Sequence, residues 1–175
     1  MLGGLTLWLD RASQTDDGGR RANARHDPDF FVERFTIRRF APDGSLQHTI
    51  TADRMQHYPD DDTTTVANPH LVYYSQRQTV VTSRTAWLDK EGKHVRLDDD
   101  VRIVRKGDGE TPETVITTTV LYVTPDDEYA RTDAPVTISQ GRSVVHGIGL
   151  EANNKTEIAV LSGPVQGTIY RNETP

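Results

Sequence analysis

Cysteine is missing from all 175 residues. That excludes disulfide staples, thiolate nucleophiles and Cys-based zinc sites. Positive charge is not concentrated either: 20 Lys and Arg are scattered among 26 Asp and Glu, for a net charge of -6. Nucleic-acid binding needs clustered cations that displace phosphate counterions, so no nucleic-acid partner is expected. The chain has no run approaching the roughly 20 apolar residues of a membrane-spanning helix. Its apolar start, residues 1–9 (MLGGLTLWL), ends at Asp10. No apolar 3.6-residue period persists beyond about two turns, which argues against helix. Catalytic signatures are lacking as well. There is no Gly-x-Ser-x-Gly elbow and no GxxxxGK[ST] phosphate loop, and Gly147-Ile148-Gly149 lacks the third glycine of a dinucleotide fingerprint. The six histidines (His26, His48, His57, His70, His94, His146) include no pair at zinc spacing, so neither a metal nor another cofactor is expected. Acidic residues are too many for one pair to stand out as glycosidase carboxylates.

What the chain does have is a repeat. Residues 50–74 read ITADRMQHYPDDDTTTVANPHLVYY, two strand-like runs around an acidic turn. With Pro69 placed over Asp100, Pro135 and Pro164, at spacings of 31, 35 and 29 residues, Ala52 falls without a gap over Ser83, Thr118 and Gly147. The next residue after the Pro/Asp column opens a run of β-formers: His70, Val101, Val136, Val165. Polar turns precede that column in each copy, at Asp60-Asp61-Asp62, Asp89-Lys90-Glu91-Gly92, Pro125-Asp126-Asp127 and Asn153-Asn154-Lys155. Repeats of this length bury their apolar face only by stacking on neighbours. Each unit therefore reads as a hairpin or broad U of two strands, and the fold class as all-β, a rolled or solenoid-like stack. The small residues of the aligned column suit a place where backbones approach closely.

Residues 10–28 (DRASQTDDGGRRANARHDP) carry almost no large apolar side chain and read as a flexible linker. One domain is expected over residues 29–171. The start, residues 1–9, reads either as the remnant of a membrane anchor with Trp8 at the interface or as an apolar beginning without that role. Residues 30–40 (FFVERFTIRRF) set Phe31, Phe35 and Ile37 against Arg34, Thr36 and Arg38, a half-buried strand. Pro42-Asp43-Gly44 turns it into a second strand. A roll of this kind is not closed, so it keeps an edge strand at each end. The last run, Val165, Gln166, Gly167, Thr168, Ile169 and Tyr170, has neither charge nor proline. Such an edge can take up a strand from another β-protein.

Without a catalytic set, the apolar lining is the candidate site. Expected inward positions are Phe35, Ile37, Ile50, Val66, Leu71, Val101, Ile103, Val136, Ile138, Ala159, Leu161 and Ile169. They either fill a core or line a groove for an acyl chain, which needs apolar walls with few polar groups. The conspicuous triplets Asp60-Asp61-Asp62 and Asp98-Asp99-Asp100 lack the spacing of a calcium loop and read as solvated turns.

Taken in order, the apolar start, the linker, PDFFVERFTIRRFAPDG, TADRMQHYPDDDTTTVANPHL, TDAPVTISQGRSVVHGIGL and VLSGPV with the final Tyr170 resemble the LptC family of lipopolysaccharide export proteins. The resemblance implies an open, elongated β-jelly roll built from antiparallel hairpin units. It implies a periplasmic location, with an N-terminal helix anchored in the inner membrane; the family's anchor is about twice as long as residues 1–9. Lipopolysaccharide would be received from an inner-membrane ABC transporter complex and passed to a like-folded periplasmic bridge protein, without catalysis. Homo-oligomers remain open. By position Phe35, Val66, Ala159 and Ile169 match family sites facing the lipid, with Ile37, Ile50, Leu71 and Leu161 beside them, and Gly141 falls at a glycine important for assembly. A β-solenoid carbohydrate-binding or carbohydrate-active protein, and a purely structural transporter scaffold, stand as alternatives.

Overall fold

Runs of Val, Ile, Thr and aromatic residues favour a pleated backbone, and they form twelve strands. These are β1 (Phe30–Phe40), β2 (Leu46–Tyr58), β3 (Thr63–Ala67), β4 (His70–Tyr73), β5 (Thr79–Thr82), β6 (Thr85–Leu88), β7 (Val95–Arg105), β8 (Thr114–Thr124), β9 (Tyr129–Gln140), β10 (Ser143–Asn153), β11 (Ile158–Leu161) and β12 (Gln166–Thr168). The computed structural model describes residues 26–75, 77–153, 156 and 158–170. The expected anchor remnant, the linker up to residue 25, and Asn154 and Lys155 of the last turn lie outside the described residues. Among the described residues no helix is long and apolar enough to cross a membrane.

All neighbouring strands are antiparallel, and the long ones change partners half-way. The first part of β2 pairs with β4 and the second with β3. Likewise β7 pairs first with β6 and then with β5, and β10 first with β12 and then with β11. Two sheets result, sharing their long strands: β1-β2-β3-β6-β7-β8-β9-β10-β11, and β1-β2-β4-β5-β7-β8-β9-β10-β12. The fold is an all-β, open β-jelly roll.

The repeat columns are the corner where the two sheets meet. Ala52 faces Phe35, Thr118 faces Val101, and Gly147 faces Val136. Asn68 N–H donates to Arg84 O at 2.7 Å and Arg84 N–H to Asp99 O at 2.9 Å, carrying the corner through the short strands. Ala52, Ser83 and Thr118 are all buried, because two converging sheets leave room only for small side chains. Their hydroxyls are satisfied by backbone oxygens: Ser83 Oγ donates to Thr85 O at 3.0 Å, and Thr118 Oγ1 to Pro135 O at 3.0 Å. The bend itself uses left-handed backbone at Arg34 (φ 48°), Asn68 (φ 49°), Asp99 (φ 60°) and Asp100 (φ 50°). Asn and Asp tolerate this conformation better than other non-glycine residues.

Two expectations change accordingly. Asp98, Asp99 and Asp100 are not a solvated turn; they lie inside β7, at the register shift between Asp98 and Val101 that folds the strand over the corner. Arg84 Nε pairs with Asp100 Oδ2 at 2.6 Å, and Arg96 Nε with Asp98 Oδ2 at 2.8 Å. Phe31 does not share a face with Phe35, because the strand passes the left-handed Arg34 between them. Val32, paired with Met55, takes the inward place and Phe31 stays exposed.

The three expected turns that lie wholly within the described residues fall at one rim of the roll, so each of these repeat units runs from corner to rim and back. Its core lies between the sheets: Ala52, Val66, Ala86, Leu97, Val101 and Leu121 form one buried cluster, flanked by Phe35, Met55, Val81 and Ile103.

Candidate functional site

Strand pleat turns alternate side chains to alternate faces. Across the sheet carrying β4 and β5, one inward row runs Ile37, Ile50, Leu71, Val81, Ile103, Ile116, Ile138, Val145 and Gly167, each facing the next. Across the other sheet, Val32, Met55, Val66, Ala86, Leu97 and Leu121 form the corresponding row, and Leu150 and Leu161 face each other on it further along. A second inward row nearer the rim runs through Thr64, Leu88, Val95, Val123, Ala130, Ala152 and Ala159. The space between the sheets is therefore an apolar trough whose floor is the corner.

The expected inward residues take this inner face except Ile169, which lies beyond the last strand, and packing divides the rest. Val66 is 7% exposed and belongs to the packed core, and Phe35 is packed against it. Ile50, Leu71 and Leu161 are half-buried. Towards the ends of the roll the lining opens: Ile37 on β1 is 46% exposed, Ala159 on β11 is exposed, and Ile169 just beyond β12 is 79% exposed. Missed by the sequence reading were Met55, Leu88, Val95, Ile116, Val123 and Ala130. Alternate counting from the small-residue column reaches Ile116, two before Thr118, but not Met55, Leu88 or Val123, because the alternation shifts by one residue at the corner.

The rim of the β4–β5 sheet is polar and partly basic. Arg39 faces His48, His48 faces Tyr73, Tyr73 faces Thr79, and Thr79 faces Arg105. The His48 and Tyr73 rings lie 5.6 Å apart. Burial, assisted by the Arg39 charge, holds His48 below its ordinary pKa, and burial followed by the Glu128 charge raises that of Tyr73.

The Asp60-Asp61-Asp62 turn is present but engaged. His26 Nδ1 lies 2.9 Å from Asp60 Oδ2, with the His26 ring stacked on Tyr58 at 4.1 Å. His57 lies 2.8 Å from Asp29 and 3.4 Å from Asp62, and Lys90 Nζ 2.6 Å from Asp62. Ligand atoms of His26, Asp60 and Asp61 come within 4.8 Å of one another, the spacing of a metal site. They already have protein partners, since Asp61 Oδ1 accepts from Thr63 N–H at 3.1 Å and Thr63 Oγ1 at 2.6 Å.

The C-terminal edge is split between the two sheets. Ile158, Ala159, Val160 and Leu161 extend one as β11; Gln166, Gly167 and Thr168 extend the other as β12, facing His146, Val145 and Val144. Of the six residues expected as one edge strand, Val165, Ile169 and Tyr170 flank this short pairing, and Tyr170 N–H donates to Ser143 Oγ at 2.9 Å. Gly141 opens the two-residue β9–β10 turn with φ 56°, and a Cβ there would sit 3.3 Å from Pro112 Cγ.

The family model described as "Lipopolysaccharide-assembly, LptC-related" matches residues 1–171. The chain belongs to this family. Membership carries a role in lipopolysaccharide transport. Among solved structures, the chain is similar to LptH from Pseudomonas aeruginosa, described as the LptA-homologous periplasmic component of the conserved lipopolysaccharide transport device. The TM-score is 0.56 and the identity 12%, covering 71% of this chain and 95% of that one. At that identity the likeness concerns the fold, and it is the roll described above. No curated protein matches.

Proposed function

We propose that the trough carries the acyl chains of lipopolysaccharide, which the chain accepts from an inner-membrane ABC transporter complex and hands to a like-folded periplasmic bridge protein. The supporting observation is the apolar inner lining, continuous from β1 to β12 and increasingly exposed toward both ends of the roll. Acyl chains are accommodated by apolar walls with few polar groups. Arg39, His48 and Arg105 on the rim sit where a phosphorylated head group would emerge. The chain itself supplies no catalysis in this reading; it works in the periplasm, held at the inner membrane by an N-terminal anchor.

The bridge protein would join by strand addition at β11 and β12, whose side chains include no charge; Ile158 and Val160 on β11 and Ile169 just beyond β12 are exposed. Gly141, at the adjoining turn, would set the geometry of that end. Photo-crosslinkers placed at Ile37 and Ala159 test the trough directly. Val66 is a poor site, because a bulky probe there would disrupt the packed core. Lipopolysaccharide adducts at Ile37 and Ala159, but not at outward Arg102, are expected. Labelling confined to Arg102 would sink the trough model.

A further inference from the structure

The outward face of the sheet carrying β3 and β6 bears a row of side chains that the trough does not use. Trp87 faces Arg96 across β6 and β7, Arg96 faces Tyr122 across β7 and β8, and Tyr122 faces Arg131 across β8 and β9. Aromatic and guanidinium groups thus alternate over four adjacent strands, about 14 Å at the usual strand spacing. Their neighbours Ala86, Leu97 and Leu121 point into the core, so this row points away from it. Tyr129, two residues before Arg131, shares the face. Together they border a surface depression of about 240 Å³.

The row is accessible and has donors to spare. Tyr122 is 39% exposed, and the Arg96 and Arg131 side chains 48% and 51%. Arg131 Cζ lies 5.3 Å over the Tyr122 ring, a cation–π contact that keeps the guanidinium beside the aromatic face. Arg96 uses Nε toward Asp98, and Arg131 uses Nη1 toward Asp133 at 3.5 Å. A guanidinium has five N–H donors, of which each ion pair uses one; Arg131 also faces Glu151 across β9 and β10, whereas Arg96 lies between the two aromatic rings with the rest of its fork toward the depression.

We propose that this row binds an anionic oligosaccharide, one whose sugar rings carry phosphate or carboxylate groups. Aromatic faces supply flat apolar contact for sugar rings while their polar tips remain wet. Arginine forks match phosphate and carboxylate geometry. A neutral sugar leaves the two guanidinium groups unused, and a bare anion leaves Trp87, Tyr122 and Tyr129 unused. Only a ligand with both features uses the whole row, and its length exceeds one sugar ring. The proposal does not depend on lipid in the trough, and its test contains no lipid.

The isotopically labelled full chain is titrated with a bisphosphorylated glucosamine disaccharide, and amide shifts are followed by NMR alongside Trp87 fluorescence. The expected shifts map to the outward positions of β6 to β9. The disaccharide should bind at least about tenfold more tightly than either inorganic phosphate or the unphosphorylated disaccharide. Arg96→Gln and Arg131→Gln should each weaken it about tenfold, with Arg96→Lys and Arg131→Lys recovering only part because the fork is lost. Unchanged far-ultraviolet dichroism would show that these exposed variants fold. Equal binding of inorganic phosphate, equal binding of a poly-glutamate peptide, shifts confined to inward residues such as Leu97 and Leu121, or no shifts at all would each overturn the proposal.

Discussion

Replacing Gly167 by Ala should detach β12 while leaving the roll folded. An added Cβ would stand 2.4 Å from Val144 O and 2.7 Å from Val145 Cα, both backbone atoms of β10 that cannot swing aside. The strand must therefore lift away. It is held by the pairings of Gln166, Gly167 and Thr168, whose side chains are all exposed, so little apolar burial is lost with it. Two or three ladder hydrogen bonds at about 1 kcal/mol each give a local loss of roughly 2–3 kcal/mol. Every 1.4 kcal/mol is tenfold in an equilibrium, so amide exchange in the β10 segment around Val145 should accelerate by roughly 30- to 150-fold. The melting temperature should move by only a few degrees, since cooperative unfolding is governed by the buried cluster. If β12 also nucleates the proposed strand addition, affinity for the bridge protein should fall at least tenfold in the same variant. Unchanged exchange around Val145 would refute the steric reasoning. Accelerated exchange with unchanged affinity would refute the docking role and leave the packing argument standing.

Leu121→Ala removes a side chain only 2% exposed at the centre of the buried cluster, and should lower unfolding free energy in urea by about 2–5 kcal/mol. Gly141→Ala should lose about 1–2 kcal/mol in the same assay, from the φ of 56°, and Gly141→Arg should in addition reduce complex yield with the transporter. The His26–Asp60 contact should show as a raised His26 midpoint. The hydrogen bond to Asp60 lifts His26 above 6.5 and, reciprocally, holds Asp60 below 3.8. The contact is then complete between those values. It is lost as pH rises through the raised His26 pKa, and again as pH falls through the depressed Asp60 pKa. Asp60→Asn should return the His26 ring titration, followed by NMR, toward 6.5; no movement would show that the contact does not form in solution.

The repeat was legible because the corner restricts volume at the same place in every copy. Ala52, Ser83, Thr118 and Gly147 are small because two sheets converge there, and the Pro/Asp column marks the crossing of the returning strand. What the sequence could not reveal was how that crossing resets the alternation of faces. Phe31 and Phe35 look equivalent along the strand until Arg34 takes a left-handed conformation between them. Asp98, Asp99 and Asp100 likewise carry the composition of a turn, and only the pairing of Asp98 and Val101 with β8 on either side of the shift shows that they lie within a strand. The division of the inward residues into core and open lining was also hidden. Val66 and Ala159 have the same chemistry and the same face; they differ in distance from the roll's ends, a property of the assembled sheets.

The two ends of the roll are not equivalent, and this gives the proposed handover a direction. β1 carries Glu33, Arg34, Arg38 and Arg39, charges of the kind that keep an edge from pairing indiscriminately. β11 and β12, IAVL and QGT, carry no charge at all. A strand added at the uncharged end would extend both sheets at once, since β11 continues one and β12 the other. The added protein's inner face would then continue the row through Ile138, Val145 and Gly167 in one sheet, and the alanines Ala130, Ala152 and Ala159 in the other. These last residues are small, so the lining becomes shallower toward that end, and a chain lying over it meets less resistance than over Leu88, Val95 and Val123. Nearer the corner of that end Leu150 and Leu161 still fill the inner face, so the shallowing is confined to the row near the rim. In the proposed handover the exit would then lie at this end, and the acceptor would add to the uncharged edge that adjoins it.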